Sequence, residues 1–193
     1  MHWEAKSPQF ADRLMGNPNQ VISALRDQVA NATLFTSAVT TLPGLATSLY
    51  RAKDMGWQPV MSFQIGLYLA LVGAVSAHRR LSFRVRVFIV LAFFFSLGVS
   101  SVLTWGLIGP GILNFMVCSI VATTLFGSRA GILATILGLI VVATVGIAVY
   151  LGKISFGVDM RVYAVVPSSW LHAIIGLSAY TSIIVVSLGE YDD

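Results

Sequence analysis

The sequence predicts an all-α polytopic membrane protein of six transmembrane helices with both termini cytoplasmic, and three observations predict it. Between Ala30 and Leu188 run six long apolar stretches, none with Asp, Glu, Lys or Arg near its middle. Hydrophobic residues make up 56% of the 193 and charged residues only 10%, with a mean hydropathy of +0.83, far from the usage of a soluble domain. Positive charge gathers at the ends of the stretches. A hydrocarbon core roughly 30 Å thick takes about 20 helical residues to cross. Lipid offers no hydrogen-bond partner, so each crossing has to be a helix that satisfies its own backbone.

The helices are expected at about Ala30–Tyr50, Val60–Ala77, Val85–Leu103, Gly111–Phe126, Ala130–Tyr150 and Trp170–Leu188. Pro43-Gly44 is expected to kink the first, and Gly109-Pro110-Gly111 to make a tight turn before the fourth. The turn from His78 to Arg86 carries four arginines (Arg79, Arg80, Arg84 and Arg86) and no acid, so the positive-inside rule puts it in the cytoplasm. Alternation from there puts Arg129 inside, and Arg51, Lys53, Lys153 and Arg161 outside. The short connections make successive helices antiparallel neighbours.

The chain divides into three parts: residues 1–29 as a cytoplasmic segment with a short amphipathic helix, 30–188 as the six-helix membrane domain, and 189–193 as a cytoplasmic stub. Val21, Ile22, Leu25 and Val29 recur at helical spacing. That helix is either interfacial or the extension of the first span, and the spacing favours the extension. The N-terminus lacks the basic-then-apolar pattern of a cleavable signal peptide.

Small residues are expected to pack the bundle, since lipid-embedded helices associate through close backbone approach. Gly66, Ala70 and Ala74 repeat every four residues, as do Gly127 and Gly131, with Gly138 further along. The lone cysteine, Cys118, reads as a small buried hydrophobe.

Polar chemistry converges toward the outer side. Arg51, Trp57 and Gln58 fall in the first outer loop, Gln64 about one turn inside the second span and Asn114 one turn inside the fourth. Tyr163 lies in the long outer loop, with Trp170 and His172 heading the sixth span. These eight are the candidate ligand contacts. Gln64 and Asn114 need partners where water is scarce, either in each other and nearby carbonyls or in a ligand. An aromatic belt accounts for Trp105 and Trp170 without a ligand. His172 has no second histidine at matching depth, so it reads as a polar cap or ligand contact and no metal or haem site is expected. The apolar stretch of the loop from Lys153 to Ser169 is expected either to fold over the bundle mouth or to rest on headgroups. No GxSxG, HExxH, paired-carboxylate or Walker pattern occurs, so no catalytic residues or cofactor are expected, and the net charge of +4 points to no nucleic-acid partner, because membrane topology accounts for positive residues at the helix ends.

Several runs resemble a known family of domains: Gly56-Trp57-Gln58-Pro59, the uncharged turn Gly106 to Gly111, the inner turn Leu125-Phe126-Gly127-Ser128-Arg129-Ala130-Gly131, and Pro167-Ser168-Ser169-Trp170. From about Thr41 to Leu188 the chain resembles the six-helix membrane input regions of bacterial sensor histidine kinases, hybrid kinases and diguanylate cyclases. The resemblance implies a multi-pass protein of the bacterial inner membrane, homodimeric and with no activity of its own. It would bind a small apolar signal, such as a quorum-sensing molecule, and pass it through the last helix to an output domain beyond residue 193. Two rival readings stand beside it. One is the substrate-binding membrane component of a vitamin uptake transporter, also six-helical and of this length; the other is an assembly subunit with no pocket.

Overall fold

The computed structural model describes residues 18–154 and, beyond them, Leu171, Ile174, Ile175, residues 178–180 and Ile183, all seven of them helical. The elements are α1 (Pro18–Tyr50), α2 (Ala52–Met55), α3 (Pro59–Ser76), α4 (Phe83–Trp105), α5 (Gly111–Phe126) and α6 (Ser128–Tyr150). Short 3₁₀ turns at His78–Arg80 and Gly106–Ile108 stand between α3 and α4 and after α4. No strand occurs among the described residues.

The helix ends reflect local chemistry. Pro59 opens α3 at a position where its missing N–H costs nothing. Gly127, at φ +92°, lets the chain turn from α5 into α6 through a single residue, its N–H bonded to the Thr123 carbonyl at 2.9 Å. The expected first span proves to be part of one continuous 33-residue helix, with Pro43 inside it. Residues 18–29 are therefore the opening turns of that same helix.

Three described helices, α3, α4 and α6, are long and apolar enough to cross a membrane. The two other long elements each fall short of the expected six crossings on one criterion. α5 is apolar but has 16 residues, about 24 Å of helix. α1 is long, but Thr33, Thr36, Ser37, Thr40, Thr41, Thr47 and Ser48 dilute its apolar surface.

α4 is the centre of the bundle, packed against α1, α3, α5 and α6. Its buried residues Val87, Val90, Phe93, Phe94, Gly98, Ser101, Val102 and Trp105 recur every three or four positions, which is one helical face. That face joins Val29, Ala30, Leu34 and Ala38 of α1, Leu71 and Ala74 of α3, and Val117, Cys118, Val121 and Leu125 of α5 in one core. α6 is apolar all round and buries only Gly131, Gly138 and Val145, one residue in seven. Its exposed Ile132, Leu133, Ile136, Leu137, Leu139 and Ile140 leave a greasy outer wall suited to lipid.

Phe115 of α5 is the wedge that sets helix spacing. A Cβ on Gly98 of α4 would stand 2.6 Å from its ring, and one on Gly138 of α6 would stand 3.1 Å from it. Gly131 approaches the Thr123 side chain and the Ser119 carbonyl of α5 as closely, and Thr135 Oγ1 donates across the same seam to Ser119 Oγ at 3.0 Å. Two of the expected small-residue contacts differ. Gly127 is spent on the turn, and Gly66 has nothing within 4 Å of a Cβ. With Ala70 also exposed, only Ala74 of that stripe packs inside the protomer, because α3 turns its other face to α1 and α4.

At the end of the bundle that holds the arginine turn, Arg86 leaves its three neighbours. Arg79, Arg80 and Arg84 are exposed, whereas Arg86 is 9% exposed. Its guanidinium donates to Asn31 Oδ1 and to Asp27 Oδ1 of α1. A cation in the first turn of a helix opposes the helix dipole, and the Asp27 carboxylate offsets that. The pair ties α1 to α4 and fixes the start of α1 on the arginine side.

This packing makes two predictions. Ala in place of Gly ordinarily favours a helix interior by about 0.5–1 kcal/mol, yet Gly98→Ala should destabilise by about 1–3 kcal/mol because Phe115 has no room to retreat. Gly146→Ala, with open space around its Cβ, should be neutral or stabilising, and thermal unfolding in detergent compares the two. Asp27→Asn keeps the Oδ1 acceptor but removes the charge of a carboxylate that is 50% exposed, so it should destabilise by about 1 kcal/mol, and Arg86→Leu in the Asp27→Asn background should recover part of that loss in denaturant titrations.

Candidate functional site

One face of α1 carries a polar stripe at helical spacing: Thr33, Ser37, Thr40 with Thr41, Gly44, Ser48 and Arg51. Thr33 and Ser37 are fully buried. Ser37 Oγ donates to the Thr33 carbonyl at 2.7 Å and Thr40 Oγ1 to the Thr36 carbonyl at 2.7 Å, so these hydroxyls close on their own helix. Toward the far end of α1 the stripe opens onto a cavity of about 80 Å³.

That cavity lies in the half of the bundle away from the arginine turn. α1 supplies Thr40, Thr41, Gly44, Leu45, Ser48 and Arg51, and α3 supplies Gln64. Phe93, Phe94, Leu97, Ser101 and Trp105 come from α4, with Pro110 and Asn114 at the head of α5. The last helical segment closes it with Ala179, Tyr180 and Ile183.

Each polar group there has a definable position. Arg51 is 2% exposed and stacks over the Trp105 ring, its guanidinium carbon 5.1 Å from the centroid. Such a contact holds the planar guanidinium in a fixed orientation. Ser48 Oγ donates to Gln64 Oε1 at 2.7 Å, joining α1 to α3. Asn114 Nδ2 donates to the Pro110 carbonyl at 3.1 Å, and its Oδ1 accepts from the Tyr180 hydroxyl at 3.1 Å. Ser101 is 4% exposed, and its Oγ has no hydrogen-bond partner among the described residues. A Cβ on Gly109 would meet Ser101 Oγ at 2.6 Å and Trp105 Cβ at 2.7 Å. Only glycine at 109 lets the turn before α5 close down on that wall.

Of the eight residues expected at a ligand site, the structure brings Arg51, Gln64 and Asn114 to one cavity. Gln64 and Asn114 do not bond each other; each holds a different helix pair. Trp57 stands apart at 59% exposed, its Nε1 donating to Ser62 Oγ at 3.1 Å. Gln58 is half-buried at the N-cap of α3 and does not line the cavity. Tyr163, Trp170 and His172 lie outside the described residues, as do residues 1–17, most of the long loop and the stub. Trp105, expected in an interfacial belt, is 7% exposed beneath Arg51, because its position on α4 continues the buried face through Ser101.

Thr40, Thr41, Ser48, Ser101, Trp105 and Tyr180 are cavity residues not among the sequence candidates. The spacing of the α1 hydroxyls toward Arg51 is a usable signal for three of them. Nothing in the sequence marks Ser101 or Tyr180. Among the described residues no three His, Cys or carboxylate side chains converge.

The MASE11 family model, which describes membrane-associated sensor domains, matches residues 24–189. No curated protein and no solved structure gives a match.

The Ser48–Gln64 contact can be isolated by a double-mutant cycle with Ser48→Ala and Gln64→Leu. The expected coupling is about 0.6 kcal/mol and no more than about 1.7, the range for hydrogen bonds between membrane helices. Unfolding of the four proteins in micelles measures it.

Proposed function

The chain belongs to the MASE11 family of membrane-associated sensor domains, and from that premise we propose that it is the membrane-embedded input region of a bacterial sensor protein. It recognises a small molecule in the outer half of its bundle and signals through the last helix. A histidine kinase of a two-component system or a diguanylate cyclase is the output, in the inner membrane. By the positive-inside rule, the cavity half of the bundle faces away from the cytoplasm.

The observation that carries this reading is the makeup of the cavity wall. Tyr180 and Ile183 belong to the last helical segment, and Tyr180 reaches across to Asn114 of α5. A molecule lodged between Asn114, Gln64 and the Phe93–Phe94–Leu97 wall touches the last helix and its neighbours together. Its occupancy favours one of two positions of that helix whenever it fits one better. The Tyr180–Asn114 hydrogen bond across the seam suits a switch, because a contact of modest worth can be exchanged. The exposed small residues Gly66, Ala70 and Gly73 of α3 make the seam of a homodimer in the same proposal.

Reading the gene past the Asp193 codon is the first test. The proposal expects the open frame to run on into a kinase or cyclase domain, and a stop codon there overturns it. In that full-length protein Tyr180→Phe should change basal output about fivefold or more, the lower end of a coupling between sites. Leu139→Ala, on the lipid-facing wall of α6, should leave output within about twofold. Equal outputs from wild type and Tyr180→Phe would remove the last helix from the mechanism.

A further inference from the structure

The cavity also carries information about what it holds, and Ser101 carries most of it. Hydroxyls elsewhere in the bundle close on their own helix. Ser37, Thr40, Ser100 and Thr104 each donate to a carbonyl three or four residues back, a common resort of Ser and Thr inside helices. Ser101 does not. The carbonyl four residues behind it, that of Leu97, already accepts from Ser100 Oγ at 3.0 Å. Ser101 is 4% exposed and lines the cavity, and its Oγ has no partner among the described residues. A buried hydroxyl without a partner is unfavourable, so an acceptor brought by a ligand is favoured there.

The acceptors of the same wall are engaged within the protein. Gln64 Oε1 accepts from Ser48, Asn114 Oδ1 from Tyr180, and the Pro110 carbonyl from Asn114 Nδ2. With its oxygen so bound, Gln64 has its amide N–H groups to offer, a second source of donors in the wall. Arg51, the charged residue among those described there, is already engaged and stacked on Trp105. A charged ligand group would therefore be buried with no counter-ion to spare, which is strongly unfavourable. A ligand hydroxyl would bring a further donor to a wall whose acceptors are taken. A carbonyl oxygen brings only lone pairs and accepts two hydrogen bonds. Leu45, Phe93, Phe94, Leu97 and Ile183 make the rest of the wall apolar, and the cavity is open on one side, so it sets no limit on chain length. From these features, and resting on the sensor reading above, we infer that the cavity binds a neutral aliphatic carbonyl compound, a ketone or an ester. Its oxygen accepts from Ser101 and Gln64, and its chain lies on Phe93, Phe94 and Leu97.

The test uses the whole chain in nanodiscs, titrated with 2-octanone that carries ¹³C at its carbonyl. Relative to empty nanodiscs, wild type should move the carbonyl resonance downfield, the mark of a hydrogen bond accepted. Ser101→Ala should reduce that shift and bind about threefold or more weakly, the worth of a neutral hydrogen bond. Ser100→Ala, next along α4 but in the groove between α3 and α4 with Phe63 and Leu103, should bind within about twofold of wild type. Ser101→Ala should also keep or raise the melting temperature of the ligand-free protein, because it deletes a group that has no partner; a structural serine would do the reverse. Unchanged shift and affinity in Ser101→Ala overturn the inference, and so does a fall in its melting temperature. Two competitors test the carbonyl in wild type: 2-methyl-1-octene, of the same shape with no acceptor, and 2-octanol. Either one displacing the ketone as strongly as unlabelled 2-octanone does, at equal bilayer concentration, overturns it, as does absence of ketone binding to wild type. None of these outcomes touches the sensor reading, which is tested by the open frame and the Tyr180→Phe output without any ligand.

Discussion

Hydrocarbon offers a polar side chain no partner, and most of the architecture stems from that. The outer surface of α6 can be wholly apolar because nothing there needs satisfying. Hydroxyls and amides must turn inward, to their own backbone or across to another helix. Ser37 and Thr40 take the first course, bonding carbonyls one turn back. Ser48, Gln64, Asn114 and Tyr180 take the second, and so tie α1 to α3 and α5 to the last helical segment. Inward-turned polar groups crowd one half of the bundle, where the helices separate enough to leave a cavity.

The opposite half is held differently. There the core is dense and apolar from Val29 through Leu125, and Arg86 with Asp27 closes its end. Phe115, caught between Gly98 and Gly138, sets how closely α5 approaches α4 and α6. A rigid half joined to a hydrogen-bonded, partly open half is a sound arrangement for sensing. Small displacements near the cavity can be borne by the polar contacts, which are individually weak, while the dense core keeps α4 and α5 in register. Because α4 touches every other long helix of the described bundle, a change at Phe93, Phe94 or Ser101 is felt by all of them.

The candidate site was legible where a residue was conspicuous against its surroundings. Gln64 and Asn114 stood out as amides in apolar helices, and Arg51 as a cation at a helix end. All three reach the cavity. Trp57 was conspicuous for the same kind of reason, yet its indole turns to Ser62 on the adjoining helix and leaves the cavity. Trp105 and Ser101 were unremarkable in sequence. What gives them weight is that α4 presents both on its buried face, under Arg51 and against Gly109. Among the four arginines between His78 and Arg86, charge alone could not separate Arg86 from Arg79, Arg80 and Arg84; its position one turn into α4, opposite Asp27, does.

By itself the sequence determined that the protein is a helical membrane protein, and it set most helix ends within two residues. Those properties depend on hydropathy, on Pro and Gly, and on the clustering of charge, all of which act locally along the chain. It also determined the MASE11 family match, which rests on the residue pattern. Which face of each helix turns inward was decided only by the tertiary structure. In a helix apolar all round no hydrophobic stripe marks the inner side, and the choice falls to small residues and hydrogen-bond partners on other helices. Hence Gly131 and Gly138 pack where Gly66 does not, and Arg51, Gln64, Ser101, Asn114 and Tyr180, spread over 130 positions of sequence, come to line one cavity.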